Sequence, residues 1–174
     1  MVIREKIRIE APLSVVWSVF TCLEDWAQWN GVCKSACLVV PSSPDERAGE
    51  TVSEGACIAF TIRPAIFPIR ITPRVTRYVP HREIVWEGSR FGVHAEHAFA
   101  FDEQDKSVVV TSTEKFGGFG LLLSRLALIP SRLHRLTREL LLALKREAES
   151  RVVPGKPLKG STPGRYFRSD DGSL

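Results

Sequence analysis

Between Gly31 and Phe116 apolar residues recur at every second position, broken by turn signals, and from Phe119 to Ser150 they change to a helical period. That order of periods is the strongest constraint on the fold. The turn signals fall at Pro41–Asp45, around Gly49, and at Pro64–Pro68, Pro80-His81, Ser89–Gly92 and Asp102–Lys106. Six strands fit between them, predicted at Lys34–Val40, Glu54–Arg63, Ile69–Val79, Glu83–Ser89, Val93–Asp102 and Ser107–Phe116. Their short connections favour an antiparallel meander. The prolines between Arg63 and Pro73 predict an edge strand or a kink there.

Ahead of the meander, Ile3, Ile7 and Ile9 alternate with Arg4, Lys6, Arg8 and Glu10, which predicts a half-buried strand over Val2–Glu10. Pro12 suits a first helical turn, and Val15, Val16, Val19, Phe20 and Leu23 follow at helical spacing. Trp26 and Trp29, three apart, predict a second short helix that Gly31 stops. At the far end Leu122, Leu126, Ile129, Leu133, Leu136, Leu140, Leu141 and Leu144 form the apolar stripe of a long helix, kinked or split at Pro130. The fold class expected is α+β, with a curved antiparallel sheet of about seven strands around that helix and an apolar cavity between them.

At 174 residues the chain fits one domain, expected over 1–150, and a flexible basic tail, expected over 151–174 from its Gly, Pro, Ser and charge. A net charge of +4 is mildly basic. Arg132, Arg135, Arg138, Lys145 and Arg146 mark the polar side of the long helix, and such faces are usually just solvated, so nucleic acid is not expected as a partner. Cys22, Cys33, Cys37 and Cys57 lack zinc-site spacing, and with no signal-peptide pattern they are expected as reduced thiols in the cytoplasm. The run from Phe119 to Ile129 is too short to span a bilayer. No phosphate loop, nucleophile elbow or paired metal-binding histidine occurs, so neither cofactor nor metal is expected.

Putting the large apolar groups of the last hairpin on one face pairs Phe101 with Val108, Phe99 with Val110 and His97 with Ser112. His97 and Glu114 then share that inward face. His94 and Glu96 fall on the outer one. Arg63, Arg74 and Arg77 are candidates for an inward guanidinium that clamps an anionic oxygen.

The opening Ile-Glu-Ala-Pro-Leu-Ser-Val-Val-Trp-Ser-Val-Phe of residues 9–20 and the Trp29-Asn30 pair carry a resemblance to a known family. Ile84–Trp86, Glu96-His97-Ala98-Phe99 and Thr111–Gly117 extend it along the sheet. Together this order resembles the helix-grip fold of the START-like, or SRPBCC, superfamily and its bacterial polyketide cyclase/dehydrase group, over about Val2 to Ser150. The resemblance implies a small hydrophobic ligand, a lipid or a polyketide-like molecule, held between sheet and helix. It also implies an alternative, a polyketide cyclase or dehydratase, for which the inward His97 and Glu114 of the hairpin are the candidate general acid and base. The same pair reads first as a structural hydrogen bond that holds two strands together. Expected ligand-binding residues are Trp29, Phe60, Arg74 and Trp86, then Phe99, Ser112 and Phe116, and from the helix Leu133 and Leu140. A homodimer is compatible with this reading.

Overall fold

The computed structural model describes residues 1–39, 52–62, 68–90, 92–119 and 129–152. Strand β1 (Val2–Ile9) leads into helix α1 (Leu13–Thr21), a 3₁₀ turn (Leu23–Asp25) and the single-turn helix α2 (Trp26–Trp29). The strands then follow as β2 (Cys33–Val39), β3 (Cys57–Ile62), β4 (Ile69–Ile71), β5 (Arg74–Val79), β6 (Glu83–Arg90), β7 (Val93–Gln104) and β8 (Ser107–Gly117). Helix α3 (Ile129–Val152) closes the described chain. The expected tail over 151–174 lies outside the described residues beyond Val152, as do Leu122 and Leu126 of the predicted stripe.

Every pairing is antiparallel, and seven strands run in the order β1-β8-β7-β6-β5-β3-β2, with β4 paired to β3 as an eighth. The predicted strand Ile69–Val79 is therefore two strands. Pro73, which lacks a backbone donor, stands at the break. Pro130 lies in the opening turn of α3, and the residues that precede Ile129 are outside the described residues.

The hairpin β7–β8 differs from the predicted register by two residues. Phe101 faces Val110, Phe99 faces Ser112 and His97 faces Glu114. The cause is a tighter turn: the strands continue to a Gln104–Ser107 pair, and Asp105 takes a left-handed backbone (φ 55°) that a short polar side chain tolerates. A two-residue shift preserves side-chain parity, so the inward and outward faces stay as predicted.

The concave face is filled unevenly. At one end Phe20 of α1 packs on Phe99 and Phe101 with ring centroids 4.7 and 5.2 Å apart, and Trp17 adds an edge contact to Phe101 at 5.1 Å. The C-terminal half of α3 belongs to this core through Leu141, Leu144 and Ala148. Side chains of the same half cover the sheet edge, since Lys145 donates to the Arg8 carbonyl oxygen and Glu149 accepts from the Glu10 amide. The N-terminal half of α3 has no such core beneath it.

Gly118, which follows β8, has φ +95°, and a Cβ there would overlap the Gly92 carbonyl oxygen. Gly118→Ala should cost about 1–3 kcal/mol of stability, measured by urea denaturation, because a side chain meets both a left-handed backbone and an unyielding neighbour.

Candidate functional site

A cavity of about 520 Å³ lies under the N-terminal half of α3. Its floor follows from register. On the inward parity of β6 come Trp86, Gly88 and Arg90, and opposite them on β7 stand His97, Ala95 and Val93. Gly88 and Ala95 are paired neighbours with almost no side chain, so the sheet leaves space between Trp86 and Arg90 that larger residues would fill. Walls come from Trp26, Phe60, Ile62 and Ile71 on one side and Phe116 on the other, with Leu133, Leu136 and Leu140 as the roof.

At the inner end sits a chain of polar groups. His97 Nε2 lies 2.7 Å from the Ser112 hydroxyl, and His97 Nδ1 lies 3.4 Å from Glu114 Oε1. The Thr137 hydroxyl, on α3, is 2.9 Å from the same carboxylate oxygen and 3.0 Å from the Leu133 carbonyl oxygen, either of which it can donate to. The side chains of His97 and Glu114 are only 16% and 13% exposed. Burial lowers the His97 pKa from its ordinary 6.5, and the Glu114 charge pulls it partly back. The imidazole is thus held neutral, with the lone pair of one nitrogen able to accept from Ser112 and the N–H of the other aimed at Glu114. Among the described residues no three His, Cys, Asp or Glu side chains gather as a metal site would need.

Of the expected residues, His97, Glu114, Phe60, Trp86, Phe116, Leu133 and Leu140 line the cavity. Four do not. Arg74 is exposed on the outward parity of β5, because its neighbour Val75 takes the inward position opposite Trp86. Phe99 is wholly buried in the aromatic core, its ring centroid 4.1 Å from that of His97, and Ser112 is buried behind the imidazole. Trp29 packs against Trp26 with centroids 5.4 Å apart, and its indole N–H is buried with no partner among the described residues. Arg77 is mostly exposed and pairs with Glu83 at 2.9 Å, while Arg63 is outside the described residues. His94 occupies the outer face as expected, 3.7 Å from Glu87, whereas Glu96, which pairs with Lys115 at 2.6 Å, is also among the residues that line the cavity.

The expected ligand-binding set omits Trp26, Asn30, Thr137 and Arg90, all of which line the cavity. Trp26 presents only its ring, since its N–H donates to the Phe20 carbonyl oxygen at 2.8 Å. Asn30 is buried, accepts from the Val32 amide at 3.1 Å and adds an amide to the lining. Cys33 also lines the cavity, and burial raises its thiol pKa, so it is a neutral group there. Thr137 is visible in the sequence as a polar residue within the leucine stripe of α3.

A concave antiparallel sheet closed by one helix over an apolar cavity with a polar inner end defines a cavity-enclosing α+β domain. The chain belongs to the family described as polyketide cyclase/dehydrase and lipid transport, whose model matches residues 1–149. No curated protein matches it. Among solved structures it is similar to TTHA0849 from Thermus thermophilus, at 14% identity and TM-score 0.69 over 88% of this chain and all of that one. The ZhuI aromatase/cyclase from Streptomyces sp. R1128 gives 16% identity and TM-score 0.68 over 88% and 96%. A START superfamily protein from Mycobacterium smegmatis gives 14% and 0.58 over 87% and 96%. At such identities the likeness is one of fold, and it agrees with the START-like architecture expected.

The lowered His97 pKa makes stability depend on pH. The unfolded chain takes up the proton first, so the full contribution is present above about pH 6.5 and is lost as pH falls from there toward the folded-state value. Urea midpoints measured from pH 7.5 to 5 should fall in the wild type and fall less steeply in His97→Gln.

Proposed function

We propose that this chain binds a small, largely apolar molecule, a lipid or a polyketide-like compound, in the cavity between sheet and helix. The observation that carries this reading is the empty floor at Gly88 and Ala95, flanked by Trp86, Phe60 and Phe116 and ending at the polar groups of His97, Glu114 and Thr137. Its volume of about 520 Å³ is that of pockets that enclose drug-sized ligands, which lie roughly between 300 and 1,000 Å³. Apolar walls supply affinity by desolvation, and the few polar groups fix orientation. An apolar molecule that leaves water for this space should stabilise the fold by mass action, about 2.7 kcal/mol at a hundredfold excess over Kd. Thermal-shift screening against lipids and aromatic polyketides should find such a molecule. Ala95→Trp, which puts an indole into the floor, should abolish the shift while circular dichroism stays unchanged. Equal binding by Ala95→Trp would remove the cavity from the account.

A second reading is favoured by one feature, the Glu114 carboxylate at the cavity wall with a neutral imidazole against it. That pair fits dehydration of a β-hydroxy carbonyl compound, the chemistry of a cyclase or dehydratase. Glu114 would take the proton from the carbon between hydroxyl and carbonyl, the C–O bond would break as the C=C bond forms, and the proton would leave with the hydroxyl as water. The similarity to an aromatase/cyclase supports this reading at the level of fold alone. Glu114→Gln should then bind the ligand found by thermal shift about as well as wild type and lose turnover by a factor of roughly 100 or more. Unchanged turnover would leave the pair as a structural bond between β7, β8 and α3.

A further inference from the structure

Asn30 links α2 to β2, and most of its hydrogen-bonding capacity is spent inside the fold. Its backbone N–H donates to the Trp26 carbonyl oxygen at 2.8 Å, its carbonyl oxygen accepts from the Cys33 amide at 3.1 Å, and its side-chain oxygen accepts from the Val32 amide at 3.1 Å. The last bond fixes the side-chain amide, because only its oxygen can accept from a backbone N–H. The NH2 group is left without an acceptor among the described residues. Among them the one unpaired side-chain donor sealed from all free space is the Trp29 indole. The Asn30 NH2 therefore borders free space, and for a cavity-lining residue only 4% exposed that space is the cavity. Other buried polar groups of the lining are committed: His97, Glu114 and Thr137 to one another or to Ser112, the Cys33 thiol to the Ser35 carbonyl oxygen, and the Trp26 indole to that of Phe20. The Trp86 indole N–H is the second buried side-chain donor of the lining that has no acceptor among the described residues.

From this spare donor we propose that Asn30 is a ligand-recognition residue, whose NH2 donates to an uncharged acceptor oxygen, a ketone, ester or ether, carried on an apolar frame that reaches across the cavity toward Glu114. This rests on the ligand-binding reading above and narrows its substrate class to neutral oxygenated compounds. Asn30 belongs to the wall of Trp26 and of Cys33 and Ile62, which are paired across β2 and β3, whereas Glu114 stands with Phe116 on β8. A donor on one wall and a carboxylate acceptor on the other orient a molecule that the apolar surface between them only desolvates. Because both backbone groups and the side-chain oxygen of Asn30 are already tied down, its NH2 is held in place before binding and loses little freedom on meeting a partner. A neutral amide does not offset the desolvation of an anion, so the oxygen it selects is uncharged. A pure hydrocarbon leaves the same donor unsatisfied and is discriminated against.

Two fluorophores that differ by one acyl group test this in the full chain. One is 6-propionyl-2-(dimethylamino)naphthalene, whose emission moves to longer wavelength when its carbonyl accepts a hydrogen bond, and the other is 2-(dimethylamino)naphthalene, which has no carbonyl. Bound to wild type, the ketone should emit at longer wavelength than it does in toluene. Asn30→Asp keeps an oxygen for the Val32 amide and removes the NH2 group, and at pH 8 it should weaken the ketone by roughly fivefold or more. Asn30→Leu, of similar volume with neither donor nor acceptor, should weaken it by a like factor and move its emission to shorter wavelength. The acyl-free probe should change by less than about twofold in both variants. Ketone affinity unchanged in every variant that folds, or equal weakening of both probes, makes Asn30 part of the frame only and overturns the assignment. Emission of the wild-type complex at the toluene wavelength overturns it without any variant. Failure of both probes to bind wild type, or binding of both to Ala95→Trp as tightly as to wild type, would instead overturn the cavity reading, and the role of Asn30 with it.

Discussion

The packing of Phe20 against Phe99 and Phe101 is the contact on which the rest of the structure depends. It pins α1 to one end of a curled sheet, and α3 then lays its C-terminal half on the same cluster through Leu141 and Leu144. Buried rings of this size contribute several kcal/mol through removal from water and edge-to-face contact, so this end behaves as an ordinary close-packed interior. One helix cannot fill the concave face twice. With its C-terminal half committed to the core, the N-terminal half spans a region where Gly88 and Ala95 supply no bulk, and a cavity results from the shortage of side chains below it.

The polar chain Ser112, His97, Glu114 and Thr137 sits at the boundary between these two regions. Placing a carboxylate and an imidazole there is costly unless each is satisfied, since a buried polar group left unpaired loses about 1–3 kcal/mol. The chain meets that cost by drawing one member from β7, two from β8 and one from α3, which also ties the helix to the sheet beside the cavity. A structural role and a chemical one are therefore not rivals at this site. The hydrogen bond that holds α3 down is made by the same carboxylate that lines the cavity.

How much of this could be read from the sequence depends on whether the signal was local. The change of period from two to 3.6 gave the meander, the long helix and the fold class, because burying one face forces that pattern. The inward placement of His97 and Glu114 survived a two-residue error in register, since parity is unaffected by an even shift. Their direct opposition did not, because it hangs on the tight turn at Asp105, which Asp102–Lys106 as a block conceals. Arg74 failed for a related reason. Its direction is set by the break at Pro73, and a strand taken as continuous from Ile69 to Val79 gives no reliable parity beyond that break. Phe99 and Phe60 look alike in sequence and both are buried in the core cluster, yet Phe20 of α1 covers the first while the second also lines the cavity.

The cavity's chemistry is the part least determined by the fold. Relatives at 14–16% identity keep the architecture at TM-scores of 0.58–0.69, because alternation and turn placement tolerate wholesale exchange of residues. At Gly88 an added Cβ would meet Pro73 at 3.6 Å, so the packing of the neighbouring strand bears on that position as well as the cavity it lines. Trp86 lies at the junction of the two regimes, 5.2 Å from Phe99 in the core and 5.6 Å from His97 at the site. Its position joins the inner end of the cavity to the packed core. The inner end of the cavity is therefore walled by aromatic rings that belong to the core and by hydrogen-bonded polar groups.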